Sequence, residues 1–227
     1  MNRQHHIVVT LRKETGNTIK SVFTHSIMKA KEVYDIGINH LKDFKIEWYL
    51  PALRHIPQGQ LQDDILNING CAYYQWIPGI IKALKPSQVI ELGGAMGGWS
   101  LMVLQELKEG KLYSITLPEG GLEFSWIKDE YPNLVKVLGT DLDLNNWPKD
   151  LDLAKTDLWF FDALHTPEHL QAELDLYTPF FKKGAIVLFD DIHSFELEPI
   201  WQELKKKYDS FDATDPLHYS GYGICII

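Results

Sequence analysis

Between residues 88 and 190, short apolar runs alternate with helix-like segments, and this alternation constrains the fold more than any other feature of the chain. The runs are "SQVIELGG", "KLYSITL", "LVKVLG", "DLWFFDA" and "GAIVLFDD", each rich in β-branched or aromatic residues. "SLMVLQELKEG", closed by Gly110, and "PEHLQAELDLY" separate some of them as helices. Strands that alternate with helices build a parallel sheet wrapped by helices. The tail "LHYSGYGICII" is a further strand with no helix after it, so it is expected to pair antiparallel at the end of the sheet.

The first third of the chain breaks this rhythm. "HHIVVTLRKETGNTIKSVF" reads as two strands about a turn at Gly16-Asn17, and "HSIMKAKEVYDIGINHLKDF" carries an imperfect helical stripe. The polar stretch with Pro57 and Gly59 reads as a loop. We therefore expect two parts: an N-terminal extension over 1–70, serving as a lid or an oligomer contact, and an α/β domain over 71–227. A chain of 227 residues with 45% hydrophobic residues has enough apolar material for a sizeable core. A net charge of −9 argues against a nucleic-acid partner, and Lys205 to Lys207 suit a helix end. No stretch is apolar for the length of a membrane span, no signal segment is visible, and two cysteines build no disulfide framework. The expectation is a soluble, cytoplasmic protein.

Two constellations carry chemistry. "VIELGGAMGGWS" (89–100) crowds glycines between a strand and a helix. Gly-rich turns let backbone approach something closely, and that something is either a ligand or another part of the protein. In open parallel sheets, ligands bind beyond the carboxyl ends of the strands, where these glycines fall. Glu91 lies within the apolar strand and needs a polar partner. Ala95 stands where a dinucleotide fingerprint wants its pyrophosphate-approaching glycine, so the turn is a poor phosphate cradle. The second constellation puts Asp162 and His165 after one apolar run, and Asp190, Asp191 and His193 after the next. Carboxylates without thiolates suit a hard cation such as Mg²⁺. Strand-end aspartates are equally common as turn formers and helix caps.

The segment Glu91-x-Gly93-x-Ala95-x-Gly97 resembles the first motif of class I S-adenosylmethionine-dependent methyltransferases. The span from about 73 to 227 is similar to that family, including the closing antiparallel strand. The resemblance implies an α/β three-layer sandwich with a mostly parallel, Rossmann-like, seven-stranded sheet closed by an antiparallel last strand, plus the N-terminal extension. It implies that S-adenosylmethionine binds along Glu91, Gly93, Gly94, Ala95, Gly97 and Ser100. The acidic residue that usually holds the ribose is replaced by Thr116, with Glu119 as a substitute three residues later. Asp141, in "GTDLD", matches the residue near the adenine. Asp162, Asp190 and Asp191 match the metal ligands of catechol- and macrolide-sugar-type O-methyltransferases, and His165 matches the position of their base. The implied activity is divalent-metal-dependent O-methylation of a small-molecule hydroxyl on a sugar, polyketide or catechol. The rival readings are a nicotinamide-dependent oxidoreductase on the same sheet and a non-catalytic cofactor-fold subunit. His169, His193, Trp99 and Trp147 are expected to be structural or peripheral.

Overall fold

The computed structural model describes residues 7–8, 22–23, 27–48, 60–118 and 131–227. Ile7–Val8 (β1) and Val22–Phe23 (β2) pair antiparallel, and the turn at Gly16-Asn17 lies outside the described residues. Among the described residues, the α-helices Ala30–Asp43 (α1), Gln60–Ile65 (α2) and Tyr73–Leu84 (α3) follow, with Pro78 inside the last. The chain then alternates through Gln88–Leu92 (β3), Gly98–Glu106 (α4), Lys111–Thr116 (β4), Leu134–Leu138 (β5), Leu158–Phe161 (β6), Pro167–Tyr177 (α5) and Ile186–Asp190 (β7). Glu198–Lys207 (α6), Asp209–Asp212 (β8) and Tyr222–Ile226 (β9) complete it. The seven-stranded sheet has the order β5-β4-β3-β6-β7-β9-β8, with β9 antiparallel to both neighbours. The order reverses between β3 and β6, and a crevice outside their carboxyl ends is where such a sheet takes a ligand.

The two-residue period of the strands sorts the core into two layers. Val89, Leu158, Phe160, Ile186 and Leu188 face the layer formed with α1, α3 and α4. Ile90, Leu92, Trp159, Phe161, Val187 and Phe189 face the layer of α5 and α6. Glu91 shares the face of Val89, so its carboxylate is carried into the first layer and is 2% exposed.

Part of the extension belongs to that first layer. Ala30 and Val33 of α1 are buried in it, and the Trp76 indole of α3 donates to the Tyr34 carbonyl at 3.2 Å. A Cβ on Gly37 would come within 2.0 Å of the Trp76 ring, and one on Gly79 within 2.4 Å of the His40 Cβ. The two helices therefore approach through glycines. Burying one tryptophan at such a contact is worth about 5 kcal/mol by area.

The end of the sheet differs from the sequence expectation. β9 lies between β7 and β8 rather than at the edge. The edge strand is "DSFD", too short and polar to show as an apolar run, and such an edge discourages pairing with another chain. Among the described residues, no helix is long and apolar enough to cross a membrane.

Candidate active site

The loop after β3 answers the question its glycines raise. Gly93, Ala95 and Gly97 all have positive φ, at 93°, 36° and 81°. The Gly93 and Gly94 amides both donate to the Ile115 carbonyl at 3.0 Å, which pins the loop to the end of β4. A Cβ on Gly93 would lie 1.8 Å from the Asp162 carbonyl oxygen and 2.6 Å from the Ala163 Cα. That glycine is needed because backbone passes against backbone at the switch point. Ala95 places a methyl group in a conformation that glycine adopts more readily.

Beyond the loop lies a cavity of about 260 Å³, lined among others by Gly93, Ala95, Thr116, Asp141, Asp162 and His169. The ends of four neighbouring strands, β5, β4, β3 and β6, thus converge on one hollow. Larger clefts, of about 400 and 500 Å³, lie between α5 and α6 and beside the loop before β4, away from the strand-end carboxylates. Glu119 lies outside the described residues. Thr116 is buried at the cavity wall.

Glu91 finds its partners inside the protein. The Ser100 and Ser114 hydroxyls both donate to its Oε2. Burial raises its pKa to about 7, and these hydrogen bonds oppose that rise. Ser100, expected on the cofactor, spends its hydroxyl on this carboxylate instead. Glu91 therefore braces the loop from behind, holding α4 and β4 to β3.

The carboxylates gather beside the same cavity. β6 pairs with β7 through Phe161↔Phe189, so the next residues, Asp162 and Asp190, end adjacent strands side by side. One oxygen of each, with a His165 ring nitrogen, forms a group whose members lie within 4.8 Å of one another. Asp191 turns away at a φ of 56° and meets His165 from the other side, its Oδ2 2.6 Å from Nδ1. The other ring nitrogen, Nε2, is 3.0 Å from Asp162 Oδ1. Burial alone would lower the His165 pKa, but hydrogen bonds to Asp162 and Asp191 outweigh it and hold it at about 10. The ring is thus an imidazolium clamped between two acids, rather than the near-neutral base expected from its position.

Asp190 is the most costly group of the set. It is buried, its Oδ1 has no hydrogen-bond partner, and burial with the adjacent Asp162 and Asp191 pushes its pKa well above the carboxylate range. An orphaned buried carboxylate oxygen costs free energy that a cation would recover. The carboxylate oxygens of Asp162 and Asp190 fit Mg²⁺ or a similar ion, while Asp191 groups with Asp190 and His218 on the other side.

Sequence reading overlooked what lies past the carboxylates. Asp64, Cys71, His218, Tyr219 and Ser220 line a second cavity of about 200 Å³ with Asp190 and Asp191. Ser220 donates to Asp191, and the Ser220 amide donates to His218 Nδ1 at 3.2 Å. Burial lowers the His218 pKa and raises that of the Cys71 thiol to about 12, so neither is charged near neutrality. His218, Tyr219 and Ser220 fall in the tail read from sequence as one strand, of which only Tyr222–Ile226 is strand, and no spacing marked any of these residues. Trp99 and Trp147 are buried core residues, as expected. His193 bridges Glu198 and Asp212 away from both cavities.

Residues 90–192 match the family model described as a methyltransferase domain. Over that span, which holds the glycine loop and the strand-end carboxylates, the chain is similar to a methyltransferase domain. No curated protein sequence matches the chain. Among solved structures it is similar to an SAH-bound methyltransferase of Podospora anserina, at 14% identity and TM-score 0.54, covering 87% of this chain and 96% of that one. An O-methyltransferase of Bacillus cereus in complex with SAH follows, at 12% identity and TM-score 0.53, covering 82% and 99%. The O-methyltransferase TomG of Streptomyces achromogenes, in complex with SAM, gives 15% identity and TM-score 0.53, covering 83% and 98%. At these identities the likeness is one of fold.

The clamp on His165 has a pH signature. Its folded pKa, about 10, exceeds the ordinary value of about 6.5. A raised pKa adds stability that is complete below the unfolded value and lost as pH rises through the folded one. In EDTA, the melting temperature of the protein is expected to fall between pH 6.5 and 10. His165→Asn should remove much of that fall. An unchanged slope in the variant would show that the ion pair contributes nothing.

Proposed function

We propose that this protein is a methyltransferase that transfers the methyl group of S-adenosylmethionine to a hydroxyl of a small, uncharged molecule, with a divalent cation held by Asp162 and Asp190 and closed by Asp191. The observation that carries the reading is the unpartnered, buried Asp190 oxygen beside Asp162, at the rim of the cofactor cavity. The cavity about Gly93, Thr116 and Asp141 would hold the cofactor, with Asp141 toward its adenine. The cavity about His218 and Ser220 would take the acceptor. Its described lining holds acids, hydroxyls and aromatics with no lysine or arginine, which disfavours phosphate- or carboxylate-bearing acceptors. The printed names of the Bacillus and Streptomyces neighbours, both O-methyltransferases, agree with a hydroxyl acceptor.

When bound, a divalent ion supplies Lewis acidity that lowers the acceptor hydroxyl's pKa and fixes its orientation. The protein's own groups do the rest. The loop 93–97 and the end of β6 hold cofactor and acceptor sites in one frame, so that reacting atoms meet in line. His165 stands three residues after Asp162 as the proton acceptor. Two carboxylates keep its ring charged, so it accepts a proton only after giving up its own to solvent, a loss made easier when Asp162 is engaged by an ion and its hold on Nε2 weakens.

Calorimetric titration with S-adenosylmethionine and with NADH tests the cofactor. A screen of diols and sugars, with and without EDTA, tests the acceptor and the ion. Binding of NADH alone would overturn the cofactor assignment. Methyl transfer that survives full chelation would overturn the metal.

A further inference from the structure

One buried cluster holds two groups, His169 and Glu173, that this mechanism does not use. His169 and Glu173 lie one helical turn apart on α5, and Asp141 reaches them from the loop after β5. His169 Nε2 is 3.0 Å from Asp141 Oδ2 and 3.8 Å from Glu173 Oε1. One donor atom from each residue lies within 4.8 Å of the other two. Glu173 is 2% exposed, and its Oε1 has no hydrogen-bond partner. Burial and the neighbouring Asp141 push its pKa well above the ordinary value, so the acid is held neutral where a cation would let it ionise.

The surroundings are built to keep this geometry. Thr166 caps α5 by accepting from the His169 amide at 3.3 Å, with Pro167 at the first helical position. The Tyr177 hydroxyl donates to the Asp141 carbonyl and accepts from the Trp147 indole at 2.9 Å. Asp141 and His169 also line the cofactor cavity, which gives an ion a route in from solvent.

We infer that Asp141, His169 and Glu173 form a second cation site, on the wall of the cofactor cavity, that takes a transition metal of the Zn²⁺ class and competes with the cofactor. One imidazole nitrogen and two carboxylate oxygens suit Zn²⁺, Co²⁺ or Mn²⁺, and the group of Asp162, His165 and Asp190 differs in that both ring nitrogens of its histidine are held by carboxylates. Three protein ligands leave a fourth position for water, facing the cavity. Competition follows because the ion and the cofactor's adenine both call on Asp141. This last step rests on the proposed cofactor placement, while ion binding does not.

Co²⁺ is the probe, added to the full chain and read by its visible ligand-field absorption. The parent and Asp190→Asn are expected to show an intense low-coordinate spectrum. Glu173→Gln and His169→Gln are expected to lose it while keeping the parent's circular dichroism. If Glu173→Gln fails to fold, the partly exposed His169→Gln carries the test alone. No such spectrum in the parent, or a spectrum lost in Asp190→Asn and kept in His169→Gln, would overturn the site. Added S-adenosylmethionine is expected to abolish the absorption. Absorption that persists with cofactor bound, as seen by calorimetry, would overturn the competition. A cofactor that binds nowhere would sink the proposed function and leave the Co²⁺ result standing.

Discussion

Alanine at Gly93 is expected to lower the melting temperature by about 10 °C and to weaken cofactor and acceptor binding together. The added Cβ meets main-chain atoms of Asp162 and Ala163, which have no rotamer by which to yield. Overpacking of this kind costs about 1–3 kcal/mol, and a side chain at positive φ adds about 1–2. At roughly 2–4 °C per kcal/mol for a protein of this size, the sum reaches the stated shift. The functional loss follows from geometry, because the clash is with the residue that carries the candidate metal ligand. A thermal melt and two titrations check it. A variant that melts like its parent would show that the loop has room to relax.

Asp190→Asn is expected to move stability and activity in opposite directions. In EDTA the parent keeps a buried carboxyl with one orphaned oxygen beside Asp162. A carboxyl whose pKa is raised by folding loses stability as pH rises toward the folded value, and asparagine has no such proton to lose. The variant should therefore match or exceed the parent's melting temperature above pH 7. Methyl transfer should fall by roughly 10²-fold or more, since even residues behind metal ligands contribute 10- to 100-fold. Cofactor binding should persist, because the cavity wall does not include Asp190. Full activity in Asp190→Asn would remove this carboxylate from the reaction.

The parts legible from sequence were those written into periodic patterns. Five apolar runs became β3 to β7, and their ends placed Gly93, Asp162 and Asp190 at one edge because parallel strands share a direction. The edge strand "DSFD" was not legible, since its pairing with β9 depends on tertiary neighbours rather than on apolar content. His218 and Ser220 were missed for a related reason. They lie in the turn before β9, and only the antiparallel return beside β7 carries them to Asp191. Glu173 left a faint trace, one turn after His169 on a helix, yet its meaning depended on Asp141 arriving from another strand. The charge state of His165 was unreadable because it depends on Asp191, 26 positions away along the chain.

The missing Cβ at Gly93 has one more consequence. Because the loop after β3 rests directly on the main chain of Asp162, with no side chain between them, there is no compliant layer to absorb a displacement. A shift of a few tenths of an ångström on one side is handed to the other. Ligands bound on the two sides of so stiff a joint are therefore expected to be linked, each changing the other's affinity by the same factor.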